Sequence, residues 1–168
     1  MRSPGRITTL ALLVSAAFVL SSMERLLPNP APMVRLGLGN IMTLAAFVMV
    51  GIRGGIWVTA GRVALVSLVW GGLLSPTAVL SAAGGAAGLA VMVPLALQPG
   101  RFSLYGVSTA GAFAHVVAQL AVASFLYVRS PDLFNLLPFL GVAALATGVF
   151  NAFVAGILAR RLEEVGGR

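Results

Sequence analysis

The sequence predicts an all-α integral membrane protein with six transmembrane helices, because it is strongly apolar, carries few charges and divides into long uncharged runs. Of its 168 residues, 59% are hydrophobic and 9% are charged, whereas roughly a quarter of the residues of a soluble domain are charged. A hydrocarbon core about 30 Å thick requires about 20 mostly apolar residues per helix. Six runs approach that length, so we expect one membrane domain over residues 1–168.

Charges and helix-breaking residues delimit the first three predicted spans. The first covers about residues 7–27 and ends before the proline-rich stretch 28–32, where proline cannot continue a helix. The second covers about 34–51 and the third about 56–74, with Arg53 and two glycines between them. A basic start followed by an apolar run is also typical of a signal peptide, but no small-x-small cleavage site precedes the prolines, so we expect the first helix to be retained.

The last three spans follow from the length of the uncharged sequence after Arg62. That stretch is too long for one crossing at about 1.5 Å of rise per residue, so we expect the chain to reverse in a turn at 75–76, on the extracytoplasmic side. The fourth span is then about 77–97, the fifth about 103–128 and the sixth about 134–159.

The distribution of arginine predicts that both termini lie in the cytoplasm. Cytoplasmic loops of membrane proteins hold an excess of basic residues. With the N-terminus inside, the cytoplasmic arginines are Arg2, Arg6, Arg53, Arg101, Arg160, Arg161 and Arg168, against Arg25, Arg35 and Arg129 outside.

Composition excludes several classes of function. The chain has no cysteine, which rules out disulfides, thiolate metal sites and a cysteine nucleophile. It has no lysine, so it cannot form a Walker-type phosphate loop. The net charge of +7 does not indicate nucleic-acid binding, because the arginines are scattered between apolar runs. We expect no bound metal or cofactor.

A few polar side chains fall inside the predicted spans, where ionisable groups are costly and usually face a cavity or each other. Arg62 lies near the middle of the third span and needs an anion. Three interpretations of its guanidinium remain open: an ion pair with Glu24 that joins two helices, contact with a substrate anion, or extension of the side chain to water at the membrane surface.

The fifth span carries His115 and Gln119, which are four residues apart and therefore share one helix face. Hydrogen bonds to a neighbouring helix are the simple explanation, and a ligand-lining role is the alternative. Asn40 follows two glycines in the second span and is a further candidate. Gly84 and Gly88, by contrast, have the small-xxx-small spacing that packs helices closely.

Several motifs resemble one family of bacterial membrane proteins. Glu24 is followed by LPxP at 27–30 and RLGLGNI at 35–41, Arg62 lies in the third span, and GVSxxGAxxHxxxQ occupies 106–119. This order is similar to the pattern of the heptaprenyl diphosphate synthase component I family, also called the Gx transporter family. The segments SxxGG at 81–85 and LPxL at 137–140 also resemble that family. Arg35 stands where the family usually has Lys, and Gly39 where it usually has Ala.

That family is in turn similar to the substrate-binding S components of energy-coupling factor transporters, which are six-helix proteins of the bacterial cytoplasmic membrane. The resemblance implies an S-component-like bundle that captures a small molecule, either anionic or related to isoprenoids and quinones, and that works with a membrane coupling subunit and ATPases. We expect the ligand-binding residues to converge on one polar cavity in the outer half of the membrane: Glu24, Arg35, Asn40, Arg62, His115 and Gln119.

Two alternatives remain. The family label implies an accessory subunit that partners a soluble prenyl synthase subunit. Catalysis of prenyl transfer holds Mg²⁺ and diphosphate through aspartate-rich motifs, and Asp132 is the single aspartate of this chain, so we expect no enzymatic activity of its own. A membrane partner in quinone or electron-transfer chemistry is the other alternative.

Overall fold

The computed structural model describes residues 4–26, 37–70, 72, 75–98 and 100–166, and these residues form helices and short connections without any strand. The α-helices are α1 (Pro4–Leu26), α2 (Asn40–Met49), α3 (Ile52–Trp70), α4 (Pro76–Ala96), α5 (Leu104–Val122) and α6 (Leu137–Gly166). Within the described ranges, five helical segments are long and apolar enough to cross a membrane. The protein is therefore an all-α, multi-pass membrane protein.

The second predicted span differs most from the structure. Its helix, α2, has ten residues, about 15 Å at about 1.5 Å per residue, which is about half of the hydrocarbon core. The helix starts late because Gly37 has a φ of +79°, a left-handed conformation that ends regular helix on that side. Residues 34–36 lie outside the described ranges, and the count of six spans stays a prediction.

The hydrophobicity of α2 reflects burial inside the protein. All seven residues 40–46 are buried, and α2 packs against α1, α3 and α6. A helix that is apolar on every side is typical of the centre of a bundle as well as of a membrane span. Hydropathy alone does not separate these two cases.

The predicted reversal before the fourth span is confirmed. Helix α4 begins at Pro76, where a missing N–H costs nothing. Ser75 caps it, since its Oγ accepts the N–H of Ala78 at 3.2 Å. The preceding helix α3 has already ended at Trp70. The side of the membrane on which this turn lies stays a prediction.

Helix α5 passes directly into a π-helical segment, Ala123–Val128, and ends at Arg129, which has a φ of 55°. Within this segment, Ser124 Oγ donates to the carbonyl of Ser130, just after Arg129, at 2.6 Å. A 3₁₀ helix, Pro131–Leu136, then leads into α6. The fifth and sixth predicted spans are therefore joined by a compact turn.

Contacts along the helices fix their relative directions. Arg6 on α1 donates to the carbonyl of Val50 at 2.7 Å, and Trp70 at the end of α3 donates to Ser22 Oγ at 3.0 Å. Arg6 lies near the start of α1 and contacts Val50, just before α3, whereas Ser22 lies near the end of α1 and contacts the end of α3. Helices α1 and α3 therefore run parallel. We call the end that holds Arg6 and Arg53 the basic end, and the opposite end the Glu24 end.

Helices α4, α5 and α6 alternate in direction. Gly84 lies beside His115 and Gly88 beside the carbonyl of Gly111, so α4 and α5 are antiparallel. Gly148 lies against the backbone of Thr109, which joins α5 closely to α6. The small-xxx-small pair on α4 thus packs helices together, as its spacing indicates.

Candidate functional site

A small cavity lies between α1, α3, α4, α5 and the turn that precedes α2. Its volume is about 20 Å³, enough for about one water molecule. Polar groups from four helices line it. The polar side chains on its wall are Ser21, Glu24, Arg62, Ser81, His115 and Gln119.

Glu24, near the end of α1, holds the turn before α2. Its side chain is 2% exposed. One carboxylate oxygen accepts the N–H of Gly37 at 2.7 Å and the other accepts the N–H of Leu38 at 3.1 Å. Hydrogen bonds to an ionised acceptor are stronger than those between neutral groups. Glu24 therefore satisfies two backbone donors that the short α2 leaves inside the bundle.

Asn151 holds the same turn from the opposite side. This residue of α6 is buried, and its Nδ2 donates to the carbonyl of Gly37 at 3.2 Å. The peptide groups of Gly37 are thus bound through both the N–H and the C=O. Sequence reasoning did not select Asn151, although an amide in the middle of a long apolar run is the same signal that selected Asn40.

Arg62, near the middle of α3, connects α1 with the start of α2. Its Nη1 donates to Ser21 Oγ at 3.4 Å and its Nη2 to Asn40 Oδ1 at 3.2 Å. A Cβ on Gly39 would lie 2.6 Å from Arg62 Cδ. The arginine therefore occupies the space that a Cβ at position 39 would fill.

His115 and Gln119 reach the cavity from α5, and both are buried. A Cβ on Gly84 would lie 2.7 Å from the imidazole, so the ring packs directly on the backbone of α4. Gln119 is 1% exposed, and within the described part of the chain its Oε1 accepts no hydrogen bond. A buried carbonyl oxygen without a donor costs about 1–3 kcal/mol, so Gln119 Oε1 is a candidate acceptor for a molecule in the cavity.

The structure thus brings most of the predicted site residues together. Glu24, Arg62, His115 and Gln119 line the cavity, and Asn40 joins them through its bond to Arg62. Arg35 lies outside the described residues. Sequence reasoning missed Ser21 and Asn151, and noted Ser81 as the first residue of the SxxGG segment. A ligand-binding role for any of these residues stays a prediction.

Among the residues that the structure describes, no group of three or more His, Asp or Glu side chains could hold a metal ion. The cavity instead offers hydrogen-bond donors and acceptors. Arg62 supplies a fixed positive charge, Glu24 a negative one and Gln119 a neutral amide. Such a lining can bind a small polar molecule or ordered water.

Comparison with known proteins places the chain in a family. Residues 13–158 match the family model described as heptaprenyl diphosphate synthase component I. No curated protein and no solved structure matches the chain. The family match runs from the first helix into the last and includes every described residue of the cavity. The chain therefore belongs to the heptaprenyl diphosphate synthase component I family.

Proposed function

We propose that this protein is a substrate-binding membrane subunit, similar in role to an S component, that captures a small polar molecule in the cavity between α1, α3, α4 and α5. The observation that carries the proposal is the convergence of Glu24, Arg62, His115 and Gln119 from three helices on one small cavity. Ionisable groups at membrane depth are expensive to retain and commonly mark a substrate pathway.

The ligand that best suits this lining carries an anionic group and a hydrogen-bond donor. Arg62 contributes a guanidinium beside the N-terminal end of α2, since its Nη2 binds Asn40, the first residue of that helix. The N-terminus of a helix carries a partial positive charge. Gln119 Oε1 offers an acceptor for the donor of the ligand. Carboxylates and phosphates with a hydroxyl or amine nearby meet both requirements.

The volume of the cavity implies a conformational change on binding. Pockets that enclose drug-sized ligands measure about 300–1,000 Å³, whereas this cavity measures about 20 Å³. A ligand the size of a vitamin or a quinone precursor would therefore have to separate α1 and α3 from α4 and α5.

The remaining parts of the proposal concern topology and partners. Six spans with both termini in the cytoplasm of a bacterium would place the Glu24 end of the bundle outside, facing the substrate. The chain contains no lysine for a phosphate loop. Energy for transport would come from a separate coupling subunit and its ATPases.

The family description supports a second candidate, a non-catalytic subunit of heptaprenyl diphosphate synthase. With a single aspartate, this chain lacks the paired acidic motifs that hold Mg²⁺ and diphosphate, so the partner would perform the chemistry. Prenyl elongation by this polypeptide alone would contradict that assignment. Quinone or electron-transfer chemistry would likewise have to be supplied by a partner.

Thermal unfolding of the purified protein in detergent micelles tests the first proposal. The protein would be screened against vitamins, flavins, quinone precursors and prenyl diphosphates. A ligand bound at 100 times its Kd stabilises the folded state by about 2.7 kcal/mol, which is readily detected. We expect at least one compound to raise the midpoint.

The matched variants are Gln119→Leu, which removes the acceptor in the cavity, and Arg101→Gln, which removes an exposed arginine outside it. The ligand shift should disappear in the first and persist in the second. Equal shifts in both variants would place binding elsewhere. A panel with no response, together with co-purification of a prenyl synthase, would favour the accessory role.

A further inference from the structure

A second concave surface lies on the outside of the bundle, between α1 and α3 at the basic end. Its mouth has a volume of about 230 Å³ and includes Arg6, Arg53 and Trp57. Arg6 is partly held by the carbonyl of Val50, at 2.7 Å, and Arg53 is exposed. Glu24, the acidic residue of α1, lies at the far end, 18 residues or about 27 Å of helix away. No carboxylate of α1, α2 or α3 therefore offsets the two arginines.

An apolar trough continues from this mouth along the same two helices. It has a volume of about 520 Å³ and shares Ile7, Leu10 and Trp57 with the mouth, so the two spaces are continuous. The trough extends as far as Val14 and Gly61. A Cβ on Gly61 would lie 3.0 Å from Val14, so the close approach of α1 to α3 forms the floor of the trough at this point.

The dimensions of the surface match half of a bilayer. Arg53 and Gly61 are eight residues apart on α3, which is about 12 Å of rise. One leaflet of a hydrocarbon core about 30 Å thick is about 15 Å deep. Trp57 is 58% exposed, and an exposed indole beside arginines is typical of the boundary between head groups and acyl chains.

We propose that this surface is a binding site for an anionic phospholipid, separate from the cavity around Arg62. The phosphate lies between the guanidinium groups of Arg6 and Arg53, and one acyl chain lies in the trough towards Gly61. A free phosphate would leave the trough empty, and a zwitterionic lipid would bring its own cationic head group beside the two guanidinium groups. A lipid with a net negative charge satisfies both parts of the surface.

Native mass spectrometry of the full-length protein, released from micelles that contain equal amounts of phosphatidylglycerol and phosphatidylcholine of the same chain length, tests this proposal. We expect phosphatidylglycerol to be retained preferentially. An arginine near the surface favours an anionic lipid by about fivefold, so Arg53→Gln should reduce that preference by about fivefold. Arg53→Lys, which keeps the charge, should retain most of it.

The matched control is Arg101→Gln, which removes an exposed arginine after α4 that does not line this surface. It should leave the preference unchanged. Ser15→Phe, which places a ring in the trough, should reduce retention of the lipid without altering the head-group preference of any that remains.

Three outcomes would overturn the proposal. The first is equal retention of the two lipids by the unaltered protein. The second is an equal effect of Arg53→Gln and Arg101→Gln, which would indicate a diffuse charge effect. The third is displacement of phosphatidylglycerol by an equal concentration of a prenyl diphosphate, which would assign the surface to a different amphiphile.

Discussion

Gly37 is bound through its backbone by side chains from two helices that are distant in sequence. Glu24 accepts its N–H, and Asn151 donates to its carbonyl from 114 residues away. The carbonyl also accepts the N–H of Asn40 at 2.9 Å. The position of Asn40, and through it the guanidinium of Arg62, therefore depends on how this single residue is held.

We predict that Glu24→Gln destabilises the protein by about 1–3 kcal/mol. The amide of glutamine has one acceptor oxygen, so one of the N–H groups of Gly37 and Leu38 would face an NH₂ donor. Thermal unfolding in micelles measures the effect. Asp132→Asn, at an exposed position outside the cavity, is the control and should change stability by less than about 0.5 kcal/mol. Equal effects of the two variants would show that the carboxylate of Glu24 has no structural role.

We also predict that Gly37→Ala lowers stability and displaces Asn40. The left-handed φ of +79° costs a non-glycine residue about 1–2 kcal/mol. The new Cβ would in addition lie 3.0 Å from Asn40 Nδ2. Gly5→Ala, where a Cβ meets nothing within 4 Å, is the matched control. Unfolding midpoints that change equally in the two variants would contradict this account.

At the scale of helices, the sequence predicted α1, α3 and α4 to within a few residues, because charges and prolines lie at their ends. It predicted α2 poorly. Its apolar run is long enough for a span, but α2 begins only after the left-handed Gly37, and its hydrophobicity reflects burial among α1, α3 and α6. Neither property is visible in hydropathy.

The candidate site was predictable in part, as the helices were. Polar residues isolated in apolar runs selected Glu24, Arg62, His115 and Gln119, and helical spacing placed the last two on one face. The contribution of Asn151 depends on α6 reaching the turn before α2. That contact arises from tertiary packing, and no local sequence pattern predicts which residue Asn151 contacts.

The contact between α5 and α6 supports a prediction at this scale. A Cβ on Gly148 would lie 2.7 Å from Thr109 Cα, a backbone atom that cannot rotate away. The helices would have to separate, and the bond from Ser108 Oγ to the carbonyl of Gly148, 2.7 Å long, would stretch. We expect Gly148→Ala to cost about 1–3 kcal/mol of stability.

The control for this variant is Gly106→Ala, in the same pair of helices. The nearest atom to its new Cβ would be Ser103 Oγ at 3.7 Å, and alanine is a better helix former than glycine by up to about 1 kcal/mol. Gly106→Ala should therefore be neutral or stabilising in the same unfolding assay. A loss of stability as large as that of Gly148→Ala would contradict the proposed contact.

For the whole molecule, the contacts place the start of α1 and the start of α3 at the basic end, and the antiparallel packing of α4, α5 and α6 returns the end of α6 to that side. With the positive-inside tendency, this predicts that both termini are cytoplasmic. Green fluorescent protein fused to the C-terminus should fluoresce, and alkaline phosphatase fused there should be inactive. A phosphatase inserted after Ser130 should be active. The opposite pattern would contradict the predicted orientation.

The short length of α2 has a consequence for how the chain enters the membrane. A helix of ten residues is below the range of about 17–25 that the bilayer accepts as an independent span. Val50 and Gly51 alone separate it from α3, so we expect the two helices to insert as one hairpin. The surface that α2 turns towards α6 would then stay uncovered until α6 has been synthesised. The packing of α2 inside the bundle would therefore be completed only after α6 has been synthesised.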